Sequence, residues 1–223
     1  MDIPEKKKSE KSNKYVKRVL YDNIVSFHIA PGTRLEEADL CAKLKVSRTP
    51  IREAMLELAQ LRLVDIYPQK GTYVSLLNTS LIEQGQYLRM TLEPNLAAMT
   101  CESKNSAFLQ KQRENLVLLE YYGNKDIDRS LQLDQEFHRR FYYINNMEYL
   151  YEMTLSMTTH LNRMRRLCMM TQDLSVTIKA HEEVLRAVEA GNPVITHAAM
   201  EDHLRYTLVD LQKVKQSYPE YFQ

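Results

Sequence analysis

The sequence lacks the features of a secreted or membrane-spanning protein. Its three cysteines, Cys41, Cys101 and Cys168, are odd in number and far apart, which excludes a disulfide scaffold and a cysteine-based zinc site. No run approaches the ~20 apolar residues that cross a bilayer. Residues 1–12 are charged and contain no apolar stretch of signal-peptide length. We therefore expect a cytoplasmic protein with no membrane partner.

The chain also has little net charge, at +1, but this charge is unevenly distributed. Residues 1–78 carry 14 Lys and Arg against 10 Asp and Glu, whereas residues 79–223 carry 16 against 19. A basic excess this modest supports nucleic-acid binding only if a suitable motif lies in the same half.

A short segment that begins at Ser47 is the most informative part of the chain. Ser47 is a good N-cap, and Pro50 falls in the first helical turn, where its missing N–H costs nothing. Arg48 and Arg52 are one turn apart, with Thr49 beside them, on the side opposite the apolar residues. The pattern predicts a capped helix whose arginine face is suited to an anionic surface.

The neighbouring segments complete a winged helix-turn-helix pattern. A second amphipathic helix ends at Leu44, and only Lys45-Val46 separates it from the arginine helix. Two β-prone runs follow, and the turn between them contains Lys70 and Gly71. The predicted elements are helices over 14–27, 35–44 and from 47 onward, and strands over 63–67 and 72–74.

These motifs resemble, in order, the winged-helix domain of the GntR family of bacterial transcription regulators. The stretches that carry the resemblance lie between about residues 15 and 74 and are Ile29–Leu35, Val46–Ala54, Leu63-Val64 and Gln69–Val74. The resemblance implies binding to double-stranded DNA. In this interpretation Arg48 and Arg52 read guanine edges, Arg34 and Ser47 contact phosphate, Thr49 reaches a base edge or phosphate, and Lys70 and Gly71 approach the backbone or minor groove.

Two positions depart from the usual sequence of that family. Lys45 stands where the helix-turn-helix commonly has glycine, and Arg62 stands where glycine usually precedes the first wing strand. If Lys45 adopts a positive φ, the strain is roughly 1 kcal/mol, which a packed domain tolerates. The departures concern turn geometry more than DNA binding.

The rest of the chain predicts helices only, because its apolar residues recur at spacings of three and four. Short loops make antiparallel neighbours, so the expected fold class is mainly α: an N-terminal winged helix-turn-helix domain and a C-terminal all-α antiparallel helical bundle. The expected parts are a disordered tail (1–12), the winged helix-turn-helix domain (13–76) and the helical domain (77–223). The predicted helices of the bundle are 80–101, which Pro94 bends or breaks, 105–122, 126–145, 147–170, 173–190 and 193–216.

Three of these helices carry side chains of the type that bind metals. Asp134 and His138 are four residues apart and project side by side, His181 lies on an inward apolar stripe, and His203 lies at the edge of another. Burying these groups without a partner costs on the order of several kcal/mol, and a divalent metal removes that cost. Three imidazoles and a carboxylate suit zinc, our first choice, or nickel, manganese, cobalt or iron. Alternatively, each histidine is a separate core or surface residue.

The same region resembles the FadR C-terminal (FCD) ligand-binding domain of one GntR subfamily, over about residues 80–212. The resemblance implies that Asp134, His138, His181 and His203 are the metal ligands and that Arg89 and Asn146 bind the effector. A divalent ion with one carboxylate keeps a formal charge of about +1, which an organic acid would complement. Arg89 can donate two hydrogen bonds to the carboxylate of that acid, or it can pair with a glutamate. Asn146 can equally be a helix cap.

The sequence therefore predicts a metabolite-responsive transcription regulator, a repressor that acts as a homodimer on a two-fold symmetric operator. A metal-dependent enzyme is the rival from another class, with Glu182 or Glu183 as base. Against it, the segment after His181 lacks the second histidine of the metalloprotease helix motif, and hydrolysis has no use for a DNA-reading helix. A third hypothesis is a regulator in which the metal ion itself is the signal.

Overall fold

The computed structural model describes residues 1–103, 106–171 and 173–223, and of residues 102–103 and 207–209 it describes the backbone only. These residues form two units. The N-terminal unit consists of Met1–Thr79 with Tyr218–Gln223, and the helical unit consists of Ser80–Ser217. The observed boundary between the two units lies after Thr79, three residues beyond the boundary that the sequence predicted. The last six residues were expected in the helical domain, but they lie with the N-terminal unit.

The N-terminal unit is a winged helix-turn-helix fold. Its elements are α1 (Ser12–Val25), β1 (Arg34–Leu35), α2 (Glu37–Leu44), α3 (Arg48–Gln60), β2 (Val64–Tyr67) and β3 (Gly71–Val74). Ser47 takes the N-cap position of α3 as predicted, with extended backbone, but its side chain makes no capping hydrogen bond. The apolar faces of the helices meet in a single core, in which Val19, Ile51 and Leu58 are fully buried. This core holds the opposite, arginine-bearing face of α3 toward solvent.

The sheet has three strands in the order β1-β3-β2, and both neighbouring pairs are antiparallel. The β2–β3 hairpin was predicted, whereas β1 was not. β1 consists of only two residues, and it pairs Arg34 with Tyr73 and Leu35 with Thr72. This pairing brings Arg34 beside the wing.

Lys45 and Arg62 adopt the left-handed conformation, with φ of 54° and 56°. Lys45 is the C-cap of α2, and its backbone N–H donates to the carbonyl of Cys41. At both positions a residue other than glycine adopts a backbone conformation that favours glycine, at a cost of about 1 kcal/mol each. The departures from the family sequence therefore leave the helix-turn-helix geometry unchanged.

Both chain ends pack on the N-terminal unit. The first twelve residues were expected to be disordered, but Arg18 of α1 forms an ion pair with Glu10 at 2.9 Å, and the Asn23 amide donates to the carbonyl of Asp2 at 2.6 Å. At the other end, the backbone N–H of Leu77 donates to the carbonyl of Tyr221 at 2.7 Å, and that of Gln223 donates to the carbonyl of Leu77 at 3.1 Å. These hydrogen bonds and the ion pair connect both ends of the chain to the N-terminal unit, which the composition alone did not indicate.

The helical unit contains seven α-helices among the described residues. They are α4 (Thr79–Ser103, whose first residue belongs to the N-terminal unit), α5 (Ser106–Tyr122), α6 (Ile127–Ile144), α7 (Glu148–Met157), α8 (Thr159–Thr171), α9 (Ser175–Glu189) and α10 (Pro193–Ser217). Local caps set several of the ends: Asp126 accepts from the N–H of Arg129, and Asn192 accepts from the N–H of Ile195. The mainly α fold class is confirmed.

One prediction about these helices was wrong. The expected helix over 147–170 is two helices that meet at Thr158, where the hydroxyl and the backbone N–H of Thr158 both donate to the carbonyl of Thr154. Pro94 was expected to bend or break its helix, and the helix continues through it without a break. No helix of the described residues is long and apolar enough to cross a membrane.

Candidate functional site

The predicted DNA-contacting residues of α3 lie on its solvent side. Ser47, Arg48, Thr49 and Arg52 are all exposed. Arg52 donates through Nε to both carboxylate oxygens of Glu37 on α2, at 2.9 and 3.0 Å. This hydrogen bond lowers the pKa of Glu37, so the carboxylate stays charged beside the arginine. Arg52 is thus held in place by an acidic partner, whereas Arg48 projects from the first turn.

The wing brings Arg34 and Gly71 together. Arg34 forms an exposed ion pair with Glu36 at 2.9 Å, and its guanidinium lies over Gly71. Gly71 has a φ of 123°, and a Cβ there would lie 3.0 Å from Nε of Arg34. The backbone conformation therefore requires glycine, whereas the exposed Arg34 side chain would only have to shift slightly to admit a Cβ. Lys70, at the tip of the turn, is exposed.

In the helical unit, three histidines from three helices meet at one point. Nε2 of His203 on α10 lies 3.2 Å from Nε2 of His181 on α9 and 3.2 Å from Nε2 of His138 on α6. His138 and His181 are buried, and His181 stacks on the ring of Phe137 with 3.8 Å between centroids. The helical stripes predicted this convergence from the sequence.

Hydrogen bonds between the histidines cannot account for this arrangement. A ring nitrogen has one in-plane position, which holds either a proton or a lone pair, so Nε2 of His203 cannot form two linear hydrogen bonds. Burial lowers the pKa of His138, and it lowers the pKa of His181 and His203 well below the usual value, with the neighbouring histidines adding to this effect. The imidazoles are therefore neutral at pH 7, as ligation of a metal requires.

Asp134 completes the cluster. Its Oδ1 lies 3.6 Å from Nε2 of His181 and 3.9 Å from Nε2 of His138. This oxygen is buried and has no hydrogen-bond partner among the described residues, while Oδ2 forms an ion pair with Arg165 on α8. A buried carboxylate oxygen without a partner is costly, and a cation beside it removes that cost.

These four side chains fit a divalent metal. Two nitrogens bound to one zinc at about 2.1 Å lie about 3 to 3.4 Å apart, which agrees with the spacing of the histidines. The atoms of these side chains that would not bind the metal have contacts of their own. Oε2 of Glu93 lies 2.8 Å from Nδ1 of His138, which favours a proton on Nδ1 and a free lone pair on Nε2. Glu93 in turn forms a buried, two-pronged ion pair with Arg89, at 2.8 and 3.1 Å.

A cavity of about 580 Å³ adjoins the cluster. Arg89, Asp134, Arg165 and His203 line its end at the cluster. The rest is lined by side chains of α8, α9, α10 and the segment between α8 and α9. Burial, and then the charge of Arg89, lowers the pKa of Arg165 to about 9, so this arginine still carries its charge at pH 7. Arg89 lines the cavity, which is compatible with the predicted contact to an effector. It also pairs with Glu93, which is the alternative that the sequence left open.

Asn146 does not belong to this site. It is exposed, has a φ of 56°, and ends α6 as the left-handed residue after the C-cap. Asn tolerates this conformation better than most residues, which explains its presence. The preceding Asn145 makes the inward contacts, to the carbonyl of Leu96 and the hydroxyl of Thr100.

Sequence reasoning missed two functional side chains, Glu93 and Arg165. Glu93 had a signal, since it lies four residues after Arg89 on a predicted helix. Arg165 lies in an arginine-rich stretch of α8, and only the packing of α8 against α6 shows that it faces Asp134.

Comparisons with known proteins agree with both units. The profile of the family described as bacterial regulatory proteins, gntR family, matches residues 13–74, and the profile of the FCD domain matches residues 87–206. An HTH-type transcriptional regulator of an unstable DNA locus in Streptomyces ambofaciens is 32% identical over 203 residues, which cover 89% of this chain and 84% of the relative.

Two further proteins show the same similarity at lower sequence identity. The HTH-type transcriptional repressor RspR of Escherichia coli is 25% identical over 215 residues, which cover 94% of this chain and 93% of RspR. The solved structure of Escherichia coli McbR/YncC matches with a TM-score of 0.75 over 92% of this chain and 98% of that one. At 20% identity, this match shows a shared fold.

Proposed function

Because this chain belongs to the GntR family of bacterial regulatory proteins and carries an FCD domain, we propose that it is a repressor controlled by an organic acid. Members of this family are DNA-binding transcription regulators with an effector-binding domain, and they are not enzymes. The acid binds beside a divalent metal in the helical unit and lowers the affinity for the operator. The name of RspR, a repressor, supports the direction of control.

The N-terminal unit reads the operator. Arg48 and Arg52 contact guanine edges from the exposed face of α3, and Thr49 reaches a base edge or phosphate. Ser47 and Arg34 contact phosphate, and Lys70 and Gly71 approach the backbone or minor groove from the wing. The exposure of these side chains and the position of Arg34 over Gly71 support the assignment. A homodimer, which is typical of the family, would place two such units on a two-fold symmetric operator.

The observation that carries the effector proposal is the buried cluster of His138, His181 and His203 with the unpartnered oxygen of Asp134. These residues would hold the metal, with zinc as the first choice and nickel, manganese, cobalt or iron as alternatives. When bound, the ion offers a positive charge and open coordination positions to a carboxylate. Glu93 holds His138 in the required tautomer, and Arg165 holds Asp134. Arg165 and Arg89 add positive charge to the cavity and favour an anionic effector.

A second hypothesis is a metal sensor, in which the ion alone changes DNA affinity. The same histidine cluster supports it, since its ligands come from α6, α9 and α10 and the ion would join three helices. The two hypotheses differ in whether an acid is needed.

Selection from a randomised pool of DNA duplexes tests the proposal. The zinc-loaded protein should enrich a two-fold symmetric sequence, and a gel-shift titration should then show weaker binding when acetate or a larger carboxylate is added. If zinc alone gives the full response, the protein is a metal sensor. Failure to enrich any sequence, with zinc or after EDTA treatment, would overturn the proposal.

A further inference from the structure

The cavity beside the histidine cluster runs along α10, which forms one wall of it. His203, Tyr206, Asp210 and Lys213 line this wall, at spacings that keep them on one helical face. At a rise of 1.5 Å per residue, Asp210 lies about 10 Å along the helix from His203, and Lys213 about 15 Å. The cavity therefore has an inner end at the histidines and an outer end near Asp210.

The middle of the cavity is apolar. Cys168 and Met169 of α8 and Leu174 and Ala180 of the α9 region line it, and all four are buried. Burial raises the pKa of the Cys168 thiol to about 12, so this side chain carries no charge at pH 7. An apolar wall between two polar ends suits a ligand with an apolar body.

The outer end is acidic. Asp173, Asp210 and Lys213 line it, which gives a formal charge of −1. Asp173 accepts hydrogen bonds from the N–H and hydroxyl of Ser175 and so serves its own helix start. Asp210 is the less exposed partner of a loose pair with Lys213, at 3.6 Å, and its side chain is 23% exposed against 62% for the lysine. Asp210 is thus the group best placed to meet a ligand.

The size of the cavity also argues against a very small ligand. Its volume of about 580 Å³ lies within the range of roughly 300 to 1,000 Å³ that is usual for sites of drug-sized molecules. Acetate could occupy the inner end but would leave the apolar middle and Asp210 without contact.

Building on the proposed function, we infer that the effector is an elongated acid whose carboxylate faces the histidine cluster and whose far end carries an amine that Asp210 binds. The inner end favours an anion, because Arg89 and Arg165 are balanced by Glu93 and Asp134 and the divalent ion of the proposed function adds a net positive charge. The outer end is cation-selective. A flexible chain of about eight carbons is long enough to join the two. Its extended length is about 10 Å at ~3.5 Å per three bonds, whereas the ~10 Å between His203 and Asp210 along the helix leaves about 5 to 6 Å after a metal–oxygen bond of about 2 Å and a hydrogen bond of about 3 Å. The chain can therefore bend against the apolar wall and still reach both ends.

Calorimetric titration of the zinc-loaded, full-length protein tests this inference with four probes. Acetate should bind most weakly, octanoate more tightly, and 8-aminooctanoate about tenfold more tightly than octanoate, because a charged hydrogen bond to Asp210 is added. Octanedioate, which has a second carboxylate in place of the amine, should bind no better than octanoate.

Asp210→Asn should reduce the preference for the amine to less than about twofold while changing octanoate affinity little. Asp202→Asn, on the same helix but 78% exposed, is the matched control and should keep the preference. Lys213→Met should increase the preference, since it removes the competing ammonium. Zinc content, measured by elemental analysis, should be the same in all variants.

Equal binding of octanoate and 8-aminooctanoate by the wild type would overturn the inference, as would an unchanged preference in Asp210→Asn or a preference for octanedioate. Each of these results leaves the proposed function intact, because an acid still binds. By contrast, if none of the probes, acetate included, binds the zinc-loaded protein, the proposed metal-linked effector site fails and this inference fails with it.

Discussion

The two units of this protein handle charge in opposite ways. On α3 the arginines are exposed, and the carboxylate beside Arg52 is a surface group of α2. In the helical unit Arg89, Glu93 and Asp134 are almost completely buried. Water and salt screen the first set, so one charge there can be changed with little effect on folding. The second set is buried away from water, so each charge is stabilised by a particular charged or polar neighbour.

The difference agrees with the function proposed for each unit. A surface that meets DNA has to exchange its acidic partners for phosphates and bases, which weak, hydrated pairs allow. A site that holds a metal and selects an acid has to exist before either arrives, and buried pairs such as Arg89–Glu93 supply that preorganisation.

The largest expected effect comes from breaking the buried pair. Glu93→Gln leaves the Arg89 guanidinium buried without a countercharge, and we expect the free energy of unfolding to fall by about 3 to 5 kcal/mol, measured by urea denaturation. Glu136→Gln is the control, because its pairs with Arg139 and Arg140 are partly exposed. A loss for Glu93→Gln no greater than that for the control would contradict the contrast between the units.

His181→Ala tests the metal site. Removing one of four ligands should lower zinc affinity by more than about 100-fold, since even groups behind the ligands contribute about 10- to 100-fold. Elemental analysis of the purified variant should show little zinc, while His197→Ala, on α10 but with its side chain 41% exposed, should keep it. An unchanged zinc content in His181→Ala would remove this residue from the site.

Arg48→Ala should cost about 1 to 3 kcal/mol of specific DNA binding and relax the base preference at the contacted position. Lys70→Ala should weaken binding to all sequences alike and flatten the salt dependence, because it removes a phosphate contact. Gel-shift titrations at several salt concentrations compare the two. The same behaviour in both variants would refute the division between base reading and backbone contact.

The smallest effect on folding is expected for Glu37→Gln, the exposed counterpart of the first substitution. It removes the partner of Arg52, so the free energy of unfolding should stay nearly unchanged while DNA binding becomes tighter. Urea denaturation and gel-shift titration measure the two quantities. Strong destabilisation would show that the surface pair is structural and would remove the contrast with Glu93.

Much of the N-terminal unit could be predicted because its signals are local. The start of α3 follows from Ser47 and Pro50, and the wing hairpin follows from the turn at Gly71. β1 could not be predicted, since two residues carry no periodicity and their partners lie almost forty positions further on. The contacts of residues 1–12 were missed for a different reason. A charged segment without apolar residues gives no sign in the sequence of the helix that it contacts.

In the helical unit, periodicity found the faces of the helices but not their partners. It placed His138, His181 and His203 inward, and the structure brings them together. It could not show that Arg165 faces Asp134, because that contact depends on how α8 packs on α6. Asn146 shows the limit at helix ends, where a shift of one residue separates the inward Asn145 from an exposed neighbour.

The last six residues make the N-terminal unit discontinuous in sequence. Tyr218–Gln223 belong to the unit formed by Met1–Thr79, and the two segments are joined by backbone hydrogen bonds from Leu77 to Tyr221 and from Gln223 to Leu77. A chain cut after Ser217 would therefore lose hydrogen bonds of the winged-helix unit, although the cut lies far from Met1–Thr79 in the sequence.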